Sequence, residues 1–127
     1  MTYRLGRRSV RRLRGVHKDL ADVVERAIEL TPIDFTVGEG MRTLARQKKL
    51  VAEGKSTTLN SRHLTGHAVD LWPLHDGQPS WNWQHYYPMA DAMKLAAEQL
   101  DIPLEWGGDW ISFKDGPHFQ LPRKQYK

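Results

Sequence analysis

The sequence predicts an α+β domain, with helices packed on one side of a small, mostly antiparallel sheet. Apolar residues recur at helical spacing in three separated stretches, and short alternating runs lie between them. No internal repeat or low-complexity tract interrupts the pattern. At 127 residues the chain is long enough to bury an ordinary core and short enough to be one domain, 1–127. It has no cysteine, so disulfides and thiolate metal ligands are excluded.

Residues 1–18 form a basic N-terminal arm, with Arg4, Arg7, Arg8, Arg11, Arg12, Arg14 and Lys18 and no acid. Seven of the 19 basic residues lie here, leaving 12 to face 15 acidic ones, so the positive excess is local. Such an arm can be plain solvated surface or contact an anionic envelope polymer. Nucleic acid is the weakest of its candidate partners, because no aromatics interleave the arginines. Nowhere are there the roughly 20 apolar residues that span a bilayer, and the N-terminus lacks the apolar run of a secretory signal. The expectation is a soluble chain made in the cytoplasm, without membrane insertion. Nothing in the composition calls for an obligate oligomer, and a monomer is expected.

Leu20, Val23, Val24, Ala27 and Ile28 predict a helix over 17–30, ended by Thr31-Pro32. Residues 33–37 alternate as a strand, and Gly38-Glu39-Gly40 is expected to turn the chain towards Arg42. A second helix over 44–53 has Thr43 as its N-cap and Gly54 as its stop. A polar loop covers 55–60. Residues 68–72 read as a strand ended by Leu71-Trp72-Pro73, and 74–83 as a loop with Asp76-Gly77 and Pro79-Ser80 turns. A third helix over 86–100 presents Met89, Ala90, Met93, Ala96, Ala97 and Leu100, with Pro88 near its start. A strand or loop follows at 103–106, and a short strand at 118–121 after the Asp115-Gly-Pro-His118 turn.

The stretch Ser61-Arg-His63-Leu-Thr-Gly66-His67-Ala-Val-Asp70 and the distant Asp115-Gly-Pro-His118 carry the chemistry. Asp70 is a lone carboxylate in an apolar strand and needs a partner. His63 precedes it by seven residues, with Gly66 between them to let the chain turn back. With His118 they offer two imidazoles and a carboxylate, the set that holds a catalytic zinc with one position open, and Asp115 lies near enough to move protons. Each residue also has a plainer role: a solvated histidine, a carboxylate paired with arginine, a packed strand residue. Arg42 could present a planar fork to a substrate carboxylate or be a surface charge. Trp106 and Trp110 could line a groove or close the core. His75 and His85 lack ligand spacing, and His67 has no assigned role.

The pattern Ser61-x-His63-x-x-Gly66-x-Ala68-x-Asp70 resembles the first signature of the D-alanyl-D-alanine carboxypeptidase and Hedgehog-like zinc peptidases. Glu105-Trp-Gly-Gly-Asp-Trp110 with Phe113-Lys-Asp-Gly-Pro-His-Phe-Gln120 resembles the second signature, in the branch of phage L-alanyl-D-glutamate endopeptidases. The likeness runs from about residue 20 to 121. It implies a Hedgehog/DD-peptidase-like fold, zinc held by His63, Asp70 and His118, and Asp115 as general base and then acid. It also implies that Arg42 binds substrate or steadies the oxyanion, and it brings Ser61 and Trp110 to the substrate groove.

The resemblance implies a zinc-dependent endolysin that cuts the L-alanyl-D-glutamate bond of the peptidoglycan stem peptide and causes host lysis. Such an enzyme is made in the host cytoplasm and reaches the wall in the periplasm once the membrane is permeabilised. A D-alanyl-D-alanine carboxypeptidase is the near alternative. A non-catalytic zinc module that binds a partner protein is the alternative from another class, and the presence of Asp115 argues against it.

Overall fold

The computed structural model describes residues 2–56 and 58–127. Met1 of the arm and Thr57 of the 55–60 loop lie outside the described residues. The elements run α1 (Arg7–Arg12), α2 (Lys18–Leu30), β1 (Phe35–Glu39), α3 (Leu44–Ala52), β2 (Ala68–His75), β3 (Gln78–Pro79), α4 (Trp83–Leu100), β4 (Glu105–Trp106) and β5 (His118–Gln120). The sheet order is β1-β2-β5-β4 with β3 paired to β2, and every pairing is antiparallel.

One core holds the elements together. The predicted stripe of α2 is buried in full, and α4 adds Met89, Ala90, Met93, Ala96 and Ala97. They meet Phe35, Val37, Val69, Leu71 and Phe119 on the inner sheet face. Residues alternate along a strand, so Asp70 and His118 are left on the opposite face. That face carries the site.

The arm is folded onto the sheet. Ser9 accepts from the Val37 amide at 2.9 Å and Arg12 Nη1 donates to the Val37 carbonyl at 3.0 Å, so α1 satisfies the outer edge of β1 in place of another strand. Leu13 and Val16 are buried in the core. Arg4, Arg7, Arg8, Arg11 and Arg14 remain exposed. Helix α1 has too short a run of apolar residues for its period to be read, and the edge it covers exists only after β1 and β2 have paired.

Three boundaries differ from expectation. Strand β2 continues through Pro73 to His75 and turns at Asp76-Gly77 into β3, so 74–83 is largely a hairpin. Pro73 is tolerated because it still accepts from Ser80 while β2 has already parted from β5. Helix α4 begins at Trp83 because the Asn82 side chain accepts from the Gln84 amide at 3.0 Å. Pro88 therefore lies inside the helix, and Leu100 at its end is exposed. Lastly, β1 starts at Phe35, two residues later than expected, and takes in Glu39, which belongs to the strand and not to a turn. A bulge falls between Val37 and Glu39, and a Cβ on Gly38 would collide with the Trp72 indole.

Candidate metal centre

The register of three strands builds the site. Asp70 lies directly opposite His118 of β5 on one side and Glu39 of β1 on the other. Residues opposite one another share a face, so one row crosses the sheet with a carboxylate at its middle. The bulge at Gly38 gives Glu39 its place: Val37 pairs with Leu71 in the core, and without the extra residue Glu39 would also face inwards.

His63 reaches the row from outside the sheet, on a 3-10 turn over Arg62–Thr65. Ser61 caps that turn by accepting from the His63 amide at 3.2 Å, which leaves its O–H able to donate into the cleft. Gly66 closes the turn at φ +76, packed so closely on the Gly15 carbonyl that a side chain would not fit. His63 Nε2 then stands 3.2 Å from Asp70 Oδ1, and His118 Nδ1 stands 3.3 Å from the same oxygen. The three donor atoms fall within 4.8 Å of one another.

The outer ring nitrogens decide what the inner ones offer. His63 Nδ1 lies 2.8 Å from the Gly40 carbonyl, which can only accept, so that nitrogen carries the proton. His118 Nε2 lies 2.8 Å from Gln120 Oε1, and the Gln120 amide donates onward to Glu105 at 3.1 Å. Each neutral imidazole therefore turns a lone pair towards a carboxylate oxygen. Such a cluster calls for a cation or for extra protons on the rings. Two imidazoles and a carboxylate with their outer partners in place fit a divalent metal.

The electrostatics agree. Burial would raise the Asp70 carboxyl, but hydrogen bonds with His118 and His63, donated when the inner ring nitrogens are protonated, outweigh it and hold the group well below the usual carboxylate range. Burial opposes charge on His118, yet Asp70, Gln120 and Asp115 together leave it raised. Asp115 is pushed up, first by loss of solvent around its carboxyl and then by the Asp70 carboxylate. It stands at the mouth of the site, held by the Asp115 amide on the Gly107 carbonyl and by the His118 amide on its own carbonyl.

Arg42 is buried and already engaged. Nε and Nη2 grip the two Glu39 oxygens at 2.8 Å each, Nη1 donates to Gln47 at 2.7 Å, and Nη2 lies 3.7 Å from Asp70. Its position at the start of α3 matches the sequence reading. Glu39 and Gln47 were legible only as neighbours of Arg42, and Gln120 and Glu105 as parts of a motif without a role. The signal for Gln120 was its spacing two residues beyond His118, which puts both on one strand face.

The cleft over these groups measures about 840 Å³, and Arg42, Ser61, Trp110 and Asp115 all line it. The tryptophans divide: Trp106 is buried and donates to the Gly116 carbonyl at 2.7 Å, whereas Trp110 leans on His118 with ring centroids 5.2 Å apart. The remaining histidines lie apart from the row. His67 pairs with His17 and Tyr126, and His75 stacks on His85. Among the described residues His63, Asp70 and His118 form the one group of three donors.

Comparison with known proteins agrees with this geometry. The family model described as phage L-alanyl-D-glutamate peptidase matches residues 1–121. The L-alanyl-D-glutamate peptidase of Escherichia phage T5 is 34% identical over 99% of this chain and 94% of its own length. The crystal structure of the Serratia marcescens L-Ala D-Glu endopeptidase ChiX superposes with a TM-score of 0.92 at 47% identity, covering 98% of this chain and 94% of that one. The vancomycin resistance D,D-dipeptidase VanXYg shares the fold alone, with a TM-score of 0.54 at 18% identity over 84% of this chain and 50% of that one. With the match spanning nearly its whole length, the chain belongs to the phage L-alanyl-D-glutamate peptidase family.

Proposed function

We propose that this chain is a zinc-dependent endopeptidase that hydrolyses the L-alanyl-D-glutamate bond of the peptidoglycan stem peptide. The observation that carries the reading is the convergence of His63, Asp70 and His118 below a raised carboxyl, Asp115. His63 Nε2, Asp70 and His118 Nδ1 would hold the zinc, with Gly40 and Gln120 fixing both rings. Zinc, when bound, supplies Lewis acidity that acidifies a water and polarises the scissile carbonyl.

Asp115 takes a proton from the attacking water and delivers it to the leaving amine. Its place on the lining of the cleft, three residues before His118, suits both halves of that task. Arg42 brings a fixed positive charge to the developing oxyanion or to the free carboxylate of the D-glutamyl residue, a contribution of about 3 kcal/mol for one such donor. Ser61 offers its hydroxyl proton and Trp110 an apolar wall to the bound peptide.

The exposed arginines of α1 would draw the enzyme towards anionic envelope polymers. No helix among the described residues is long and apolar enough to cross a membrane. By analogy with the phage relatives, we place synthesis in the host cytoplasm and action at the wall once the membrane is opened, as a monomer and as a lysis enzyme.

The test is digestion of purified peptidoglycan with zinc-loaded, chelator-treated and Asp115→Ala protein, followed by mass spectrometry of the new amino termini. Zinc-dependent appearance of a D-glutamyl amine supports the reading. Released D-alanine would identify a carboxypeptidase instead. No cleavage by loaded wild type would leave a zinc-binding interaction module.

A further inference from the structure

The segment between the 3-10 turn after β4 and Asp115 is built against the usual rules of a surface loop. Ile111 is 99% exposed and Phe113 is 80% exposed, two residues apart and next to Trp110. Phe113 also sits at φ +54, a backbone conformation that bulky L residues rarely adopt. Neither exposure nor strain helps the fold; Trp110, Phe113 and Lys114 line the cleft beside Asp115, and Ile111 follows Trp110 in the chain.

The sheet order fixes which side of the metal this rim occupies. Glu39 and Arg42 follow from β1 at one edge, whereas the 107–115 segment follows β4 at the other, with Asp70 and His118 between. A stem peptide bound across this row has two dissimilar ends. On the amine side of the scissile bond lies the D-glutamyl residue with its free carboxylate, which suits the Arg42 wall. On the acyl side lies L-alanine, whose nitrogen is joined through a lactyl group to the muramic acid ring. Only one residue separates the reacting carbonyl from the sugar, so the glycan itself must rest against whatever forms that side of the cleft.

We propose that Trp110, Ile111 and Phe113 form a subsite for the lactyl group and sugar ring of the glycan strand. Apolar side chains and an aromatic face are suited to the C–H face of a pyranose and to an N-acetyl methyl. This inference rests on the L-alanyl-D-glutamate reading and adds that the enzyme recognises its substrate as a glycopeptide.

The experiment compares a soluble disaccharide-tetrapeptide with the same tetrapeptide N-acetylated at L-alanine, using zinc-loaded wild type, Ile111→Ser, Phe113→Ser and the double variant. The quantity read is the ratio of kcat/KM for the glycan-bearing over the glycan-free substrate. The expected result is a wild-type ratio well above one that falls about three- to tenfold in the double variant, through KM. Isothermal titration of the peptide-free disaccharide into Asp115→Asn protein should show binding that the added Phe113→Ser change weakens. A wild-type ratio near one, or a ratio unmoved by both substitutions, overturns the subsite while leaving the peptidase reading intact. Failure of wild type to cut either substrate overturns that reading and the subsite with it.

Discussion

On the β1 side of the cleft three of the five Arg42 N–H donors are already paired. Arg42 holds Glu39 with a fork, Gln47 takes its third donor, and Gln47 in turn donates to the carbonyl of Thr58 and to Ser56 at 2.9 Å. On the β4 side, Trp110 and Phe113 line the cleft with apolar surface, and Phe113 and the neighbouring Ile111 are open to solvent. One wall is held rigid by its own hydrogen bonds, and the other leaves its surface to a ligand. A chain can therefore preorganise charge on one side of a metal and keep the opposite side free for shape recognition.

The sharpest test of the division is Asp115, which stands where the open rim meets the metal row. Asp115→Asn should keep zinc and lose about 10²- to 10⁴-fold in turnover. His118→Ala should lose zinc instead, as read by competition with a chromophoric chelator. Retained turnover in the first variant would remove Asp115 from the reaction.

The rigid wall is broken by Glu39→Gln. That change leaves the buried Arg42 charge with only the more distant Asp70 carboxylate, 3.7 Å from Nη2, and it should cost about 2–4 kcal/mol of stability, somewhat under the range for a fully enclosed pair because Glu39 is partly exposed. Phe113→Ser on the open rim should stay within about 0.5 kcal/mol. Chemical denaturation of the two variants measures the contrast, and equal losses would abolish it.

A smaller effect is expected one step behind His118. Gln120→Leu removes the acceptor of the Nε2 proton and should weaken zinc binding by about 10- to 100-fold. His63 should be indifferent to this substitution, because its outer nitrogen is held by the Gly40 backbone carbonyl.

The smallest predicted effect is on pH dependence. His118 is raised in the folded chain, so its contribution to the stability of metal-free protein is complete below the ordinary imidazole value of about 6.5 and is lost as pH rises through the folded value. Asp70 is depressed, so its contribution is present above the ordinary carboxylate range and is lost only in strong acid. Melting temperature of the metal-free protein should therefore decline from mildly acid to mildly alkaline pH, and zinc should remove the decline. A metal-free profile that rises through this range would contradict the assignment.

How much could be read beforehand differs from element to element. Helix α2 was legible because its face is written at i, i+3, i+4 spacing and needs no partner to be recognised. The start of α4 was missed by three residues because Asn82 is a quiet cap after a tryptophan. The fold of the arm was invisible because α1 takes its stability from the edge of β1.

The sequence by itself determined the donors: two histidines, two carboxylates and an arginine at family spacing, with no thiol to compete. Only the tertiary structure decided how they meet. The bulge at Gly38 turned Glu39 to the site, strand register set Asp70 opposite His118, and the pairing of β4 with β5 gave Gln120 its Glu105 partner. The physical reason is that side chains alternate along a strand with a period of two. A single residue of register changes which face each one occupies, and register is settled between strands that are distant in the chain.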